Sequence, residues 1–204
     1  MTPSRAGPGV IFCGDQASRW ICRYNPRHVQ STGYPPAMTG RQPDCSERPD
    51  SRRLRLWLQA SGSLTRQLTR CAAGQFRVLP LQQQFGRMSR LEGQRLGVPW
   101  HLRVWVREVW LYGHDAEPWV YARTLFPQSV LQGSGRRLRF LGGRALGHQL
   151  FARGRQPQAR RWVEQTPSGW RRTTRYRLPT GPVLVSETFL PAFLAHLDEM
   201  DFEP

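Results

Sequence analysis

Residues 101–127 read HLRVWVREVWLYGHDAEPWVYARTLFP, two runs of β-branched and aromatic residues flanking a polar connection from Gly113 to Pro118. Such residues suit a pleated, half-buried surface, so the stretch predicts a β-hairpin. Residues 170–191, WRRTTRYRLPTGPVLVSETFLP, predict a second hairpin with Pro179 to Pro182 as its turn. Between the two, part of residues 129–151 reads as helical. Gly133 and Gly135 make a flexible lead there, and Ala145, Leu146, Leu150 and Phe151 are expected to face a core. Upstream, RRLRLWLQASGSLTRQL from residue 52 suits two short helices interrupted at Gly62, with Ser63 capping the second. Gln75 to Gln84 reads as an irregular edge strand around Pro80. Two hairpins plus helices imply an α+β fold with an antiparallel sheet.

A chain of 204 residues, 39% hydrophobic, supports one core of ordinary size. That domain is expected over residues 51–204. Residues 1–50 are rich in Gly, Pro, Ser, Arg and Asp without a sustained period, and are read as a disordered leader whose first 37 residues precede an alternative start at Met38. The formal net charge is +16, and all 30 basic residues are Arg, spread along the whole chain. A nucleic-acid footprint is usually a concentrated stripe, so no nucleic-acid partner is expected; a small acid remains compatible, because Arg fits carboxylates bidentately.

Cysteines at 13, 22, 45 and 71 form no CxxC pair, and histidines at 28, 101, 114, 148 and 196 show no metal spacing. No metal and no cofactor are expected. A nucleophile elbow of the GxSxG type is absent, and the Gly-rich runs at 133–137 and 142–147 match no phosphate loop and are read as a mobile lid. With no apolar stretch of transmembrane length and no secretory signal pattern, a cytoplasmic protein without stable membrane insertion is expected.

Alternation along the strands marks polar residues stranded among apolar ones. Glu187 shares a face with Val183, Val185 and Phe189, and a carboxylate there must be paired with a cation or kept protonated. The alternatives are an edge position open to solvent and a structural ion pair. Arg107 shares parity with Trp105, Val109 and Leu111, and Arg123 with Trp119, Tyr121 and Leu125, so the two guanidinium groups are expected to converge on one face. Arg171, Arg175 and Arg177 share one parity and read as a solvated face.

The segments REVWLYGHDAEPWVYARTLFP, RALGHQLF and RRTTRYRLPTGPVLVSETFLPAF run in the order and approximate spacing of chorismate pyruvate-lyase, and over roughly residues 54–193 the chain resembles that family. The resemblance implies an antiparallel sheet of about six strands, with helices and flaps over a buried, cofactor-free site. It implies cleavage of chorismate to 4-hydroxybenzoate and pyruvate, the first committed step of ubiquinone biosynthesis, by a monomer. Arg107, in VWVRE, matches the Arg that holds a ligand carboxylate, and Glu187 matches the Glu at the ring hydroxyl end, so these two are the expected catalytic residues. Leu146 and Leu64 match positions that contact ligand through backbone, Leu64 departing from the Met of the best-known member. Arg123, in the AxRT strand, is expected as a second anion partner.

A rival reading is a non-catalytic sensor for small carboxylates, since ligand-binding domains of certain GntR-type regulators share the fold. The Pro- and Gly-rich leader offers no helix-turn-helix pattern, and retention of Arg107 and Glu187 favours the enzyme.

Overall fold

A computed structural model describes residues 52–154, 157–197 and 204; the leader expected over residues 1–50 lies outside them. Helices α1 (Arg52–Gln59) and α2 (Leu64–Cys71) come first, and the Ser63 side chain accepts from Arg66 N to cap α2. Strand β1 (Arg77–Gly86) is followed by α3 (Arg90–Leu96), then β2 (Val104–Tyr112) and β3 (Pro118–Phe126). Short 3₁₀ segments and α4 (Leu146–Leu150) lead into β4 (Ala159–Thr166), β5 (Gly169–Leu178), β6 (Gly181–Phe189) and α5 (Pro191–His196). The sequence reading did not single out α3 or β4. A capping box between Ser89 and Glu92 and a left-handed Gly97 bound α3.

The six strands form one antiparallel sheet in the order β1-β2-β3-β6-β5-β4. As expected, β1 is an irregular edge, with a register shift between Pro80 and Gln82. β6 lies inside the sheet, so Glu187 is not an edge residue. The second turn is tighter than expected, since Leu178 already pairs with Gly181.

Both faces of the sheet bury apolar side chains. On one, Trp57, Leu58, Leu64, Leu68 and Phe193 from α1, α2 and α5 pack with Val109, Val120 and Phe189, and beside them Leu138, Leu141, Leu146 and Leu150 pack with Phe126, Tyr176, Val183 and Val185. On the other face Leu96 of α3 and Met88 meet Val104, Val106, Leu125 and Leu184. Among the described residues no helix is long and apolar enough to cross a membrane.

Trp119, fully buried, anchors the β2–β3 connection: its ring meets Phe193 edge-on at 6.0 Å, and its indole Nε1 donates to Asp115 Oδ2 at 2.5 Å. The connection passes so close to this ring that a Cβ on Gly113 would lie 2.0 Å from Trp119 Cζ2. Gly113→Ala is therefore expected to lower stability by about 1–3 kcal/mol through overpacking. Thermal denaturation should show the fall in Tm, and an unchanged Tm would mean that the turn does not need this contact.

Candidate active site

In an antiparallel ladder, directly opposite residues share a face. One row runs Arg107, Thr124, Val185, Thr174, Arg161 across β2, β3, β6, β5 and β4. The next runs Val109, Ala122, Glu187, Arg172, Val163. Arg107 and Glu187 therefore face the same way, two strand spacings apart and offset by two residues, roughly 12 Å between Cα atoms. The side chains between them on β3, Ala122 and Thr124, are small, which leaves a cavity whose lining includes Arg107, Ala122, Thr124, Tyr176, Val185 and Glu187. Leu64 and Thr65 of α2 and residues 145–147 close it from above. The lid sits directly on α2, since a Cβ on Gly147 would lie 2.2 Å from Ser63 Oγ and 3.1 Å from Thr65 Oγ1.

Arg107 is 2% exposed and has no carboxylate partner among the described residues. Its Nη2 donates to the carbonyls of Gly142 (3.1 Å) and Arg144 (2.8 Å), tying the Gly-rich lid to the sheet, while Nε has no partner among the described residues. Burial lowers its pKa to about 10, which leaves it charged at neutral pH. A buried cation with unused donors facing a cavity is a site for an anion.

Glu187 is 9% exposed and accepts from Arg172 Nε at 2.6 Å. Of the alternatives open from sequence, this is the ion pair. Arg172 is fully buried, with Nη1 donating to the carbonyls of Trp57 (2.7 Å) and Ala60 (3.4 Å) and Nη2 without a partner among the described residues. Beside it Arg161 donates to Ala60 O (2.7 Å), Leu58 O (3.5 Å) and Thr174 Oγ1 (3.1 Å). The last carbonyls of α1 thus meet two guanidinium groups, a favourable match for the negative end of a helix. Burial, then the charge of Arg172, lowers the pKa of Arg161; burial, then the charge of Glu187, raises that of Tyr176. Two cations against one carboxylate leave this end of the cavity positive.

Leu64 and Leu146 both line the cavity, the latter buried as expected; Ala145 and Phe151 are half-buried but line it as well. The expected convergence of Arg107 and Arg123 is overturned. The hairpin register pairs Glu108 with Arg123 and Arg107 with Thr124, so Arg123 projects from the opposite face. There its Nε donates to Glu92 Oε1 at 2.8 Å, and it is paired with Glu108 as well. Parity across a hairpin depends on the length of the connection, which residues 113–118 did not fix. Arg172 and Arg161 were not singled out. The signal for Arg172 was available: counting back from a turn that pairs residues 178 and 181 sets Arg172 opposite Glu187.

Benzoate, an aromatic carboxylate with no other ionisable group, probes the role of Arg107. Its affinity should hold near neutrality and fall as pH rises through about 10, where Arg107 loses its charge. Arg107→Met should abolish binding and leave stability equal or up to ~2 kcal/mol higher, because it removes a buried cation that no anion matches. Calorimetric titration and denaturant unfolding check both; tight benzoate binding by the variant would contradict the assignment.

The family model for chorismate lyase matches residues 41–197. A probable chorismate pyruvate-lyase from Acinetobacter baumannii is 42% identical over 144 residues, 71% of this chain and 85% of that protein. One from Pseudomonas aeruginosa is 44% identical over 147 residues, 67% and 82% of the two chains. Among solved structures, a GntR-family transcriptional regulator from Bacillus cereus aligns at a TM-score of 0.43 and 12% identity over 63% of this chain and 96% of that one. The span matched by the family model takes in both hairpins together with Arg107, Leu146 and Glu187, and the chain belongs to the chorismate lyase family of enzymes.

Proposed function

We propose that the protein is a chorismate pyruvate-lyase, splitting chorismate into 4-hydroxybenzoate and pyruvate. The observation that carries this reading is the pairing, on one face of the sheet, of a buried cation without an anion among the described residues at one end and a buried carboxylate backed by two more cations at the other. Chorismate has two carboxylates, one on the ring and one on its enolpyruvyl side chain. Arg107 takes the ring carboxylate. The positive charge of Arg172 and Arg161 lies toward the side-chain carboxylate.

In the reaction the ether bond at ring C3 breaks, its electron pair leaves with the enolpyruvyl group, and the ring loses the C4 proton to become aromatic. The departing fragment gains a proton and becomes pyruvate. Aromatisation drives the step, so the protein's tasks are orientation, charge neutralisation and proton handling. Proton handling falls to Glu187. With Arg172 donating to Oε2, the carboxylate is better suited to accept, from the C4 hydroxyl or the C4 proton, than to donate. Leu64 and Leu146 offer backbone contacts from the lid and α2. Arg123, engaged on the opposite face, has no part in binding.

Residues 51–204 are the catalytic domain in this reading. The protein acts as a monomer in the cytoplasm, and its product feeds ubiquinone synthesis. Incubation of the purified protein with chorismate tests the activity. Ultraviolet absorbance should report 4-hydroxybenzoate, a lactate dehydrogenase coupling should report an equal amount of pyruvate, and Arg107→Ala should yield neither. Glu187→Gln should lower kcat by roughly 10²–10⁴-fold. If that variant kept nearly full turnover, Glu187 would have no proton role; if chorismate survived the wild-type protein while 4-hydroxybenzoate bound tightly, the chain would be a sensor.

A further inference from the structure

A second cluster of chemically capable side chains lies outside the cavity, where the β2–β3 connection meets the end of α5. His114 Nε2 stands 3.3 Å from Asp115 Oδ1, and His196 Nε2 stands 2.9 Å from Asp115 Oδ2. One ligand atom from each residue lies within 4.8 Å of the others, and the two imidazole rings are 5.0 Å apart. Linear spacing hides the cluster, because His196 comes from the far end of the domain.

Around a transition-metal ion with bonds of ~2.0–2.2 Å to imidazole nitrogen and carboxylate oxygen, neighbouring ligand atoms stand roughly 2.9–3.4 Å apart. The two imidazole nitrogens reach different oxygens of Asp115, at 3.3 and 2.9 Å, and with the three groups within 4.8 Å of one another a small side-chain shift closes them around one ion. The scaffold is fixed before any ion arrives. Asp115 is fastened by the buried indole of Trp119, an outer hydrogen bond that orients a ligating carboxylate. The ring of Trp119 also meets His114 edge-on at 5.1 Å. The helix carrying His196 is held by Phe193, fully buried against Trp57 at 5.0 Å. The side chains of His114, Asp115 and His196 are 40%, 21% and 29% exposed, which leaves room for water to complete a coordination shell.

We propose that His114, Asp115 and His196 form a surface site for a divalent transition-metal ion of the Zn²⁺, Ni²⁺ or Cu²⁺ class, which clamps α5 to the β2–β3 connection. Two imidazoles and one carboxylate favour these ions over Mg²⁺ or Ca²⁺, which prefer all-oxygen shells. The site stands apart from the proposed reaction and does not depend on it.

The test uses the full chain, stripped with a chelator and titrated with Zn²⁺ by calorimetry and with Co²⁺ by absorption spectroscopy. One equivalent should bind with a Co²⁺ spectrum free of thiolate charge transfer, which separates this site from the four cysteines. His114→Ala and His196→Ala should each weaken binding by roughly tenfold or more, and Zn²⁺ should raise the Tm of the wild type but not of either variant. Both histidines are partly exposed, and circular dichroism checks that the variants fold. If both variants titrate like the wild type, or if the wild type binds no metal outside its thiols, the cluster is a hydrogen-bonded latch and the proposal fails.

Discussion

The register of the β5–β6 hairpin is the constraint on which the site depends. With Leu178 opposite Gly181, every later pair follows, and Arg172 falls opposite Glu187. A slip of one residue would turn each side chain to the other face. Glu187 on a slipped β6 would then leave the cavity, or Arg172 on a slipped β5 would lose the carbonyls of Trp57 and Ala60 that hold its other end. Burial on both sides of the sheet fixes this register, because Val183, Val185 and Phe189 must face one layer and Leu184 the other.

Within that frame the cavity is a place where charge is left unmatched. On the far face of the sheet, where α3 packs, Arg123 has two carboxylates, Glu92 and Glu108. On the cavity face Arg107 has carbonyls alone among the described residues, and Arg172 pairs with Glu187 while Arg161 feels the charge of both. Buried cations without anions cost stability, and they persist where a ligand supplies the missing charge. The same sheet thus carries a closed ion network on one side and an open one on the other. The lid belongs to the open side, since Arg107 donates to the backbone of Gly142 and Arg144 and links the cation to the segment that covers it.

Much of this was legible in the sequence. Both hairpins, the helix break at Gly62, the Ser63 cap and the irregular edge at Pro80 follow from residue type and local spacing. The anomaly at Glu187 was visible because alternation within one strand needs no knowledge of its neighbours. Relations between strands were harder. Arg107 and Arg123 lie on opposite faces because the length of the β2–β3 connection, which residue type alone leaves open, sets the cross-hairpin parity, and Arg172 stands at the opposite parity from Arg171, Arg175 and Arg177. Helix α3 and strand β4 carry weak periodic signals, and tertiary contacts to the sheet decide them. The meeting of His114 with His196 is wholly tertiary and has no local signature.

The central claim is that one aromatic acid spans the face between Arg107 and Glu187. A crystal structure of the protein with 4-hydroxybenzoate tests it most directly. The account predicts the ligand carboxylate on the Arg107 guanidinium, the ring over Ala122 and Thr124, and the hydroxyl at Glu187. A ligand bound elsewhere on the sheet, or bound in the cavity with its carboxylate at the Arg172 end, would contradict it.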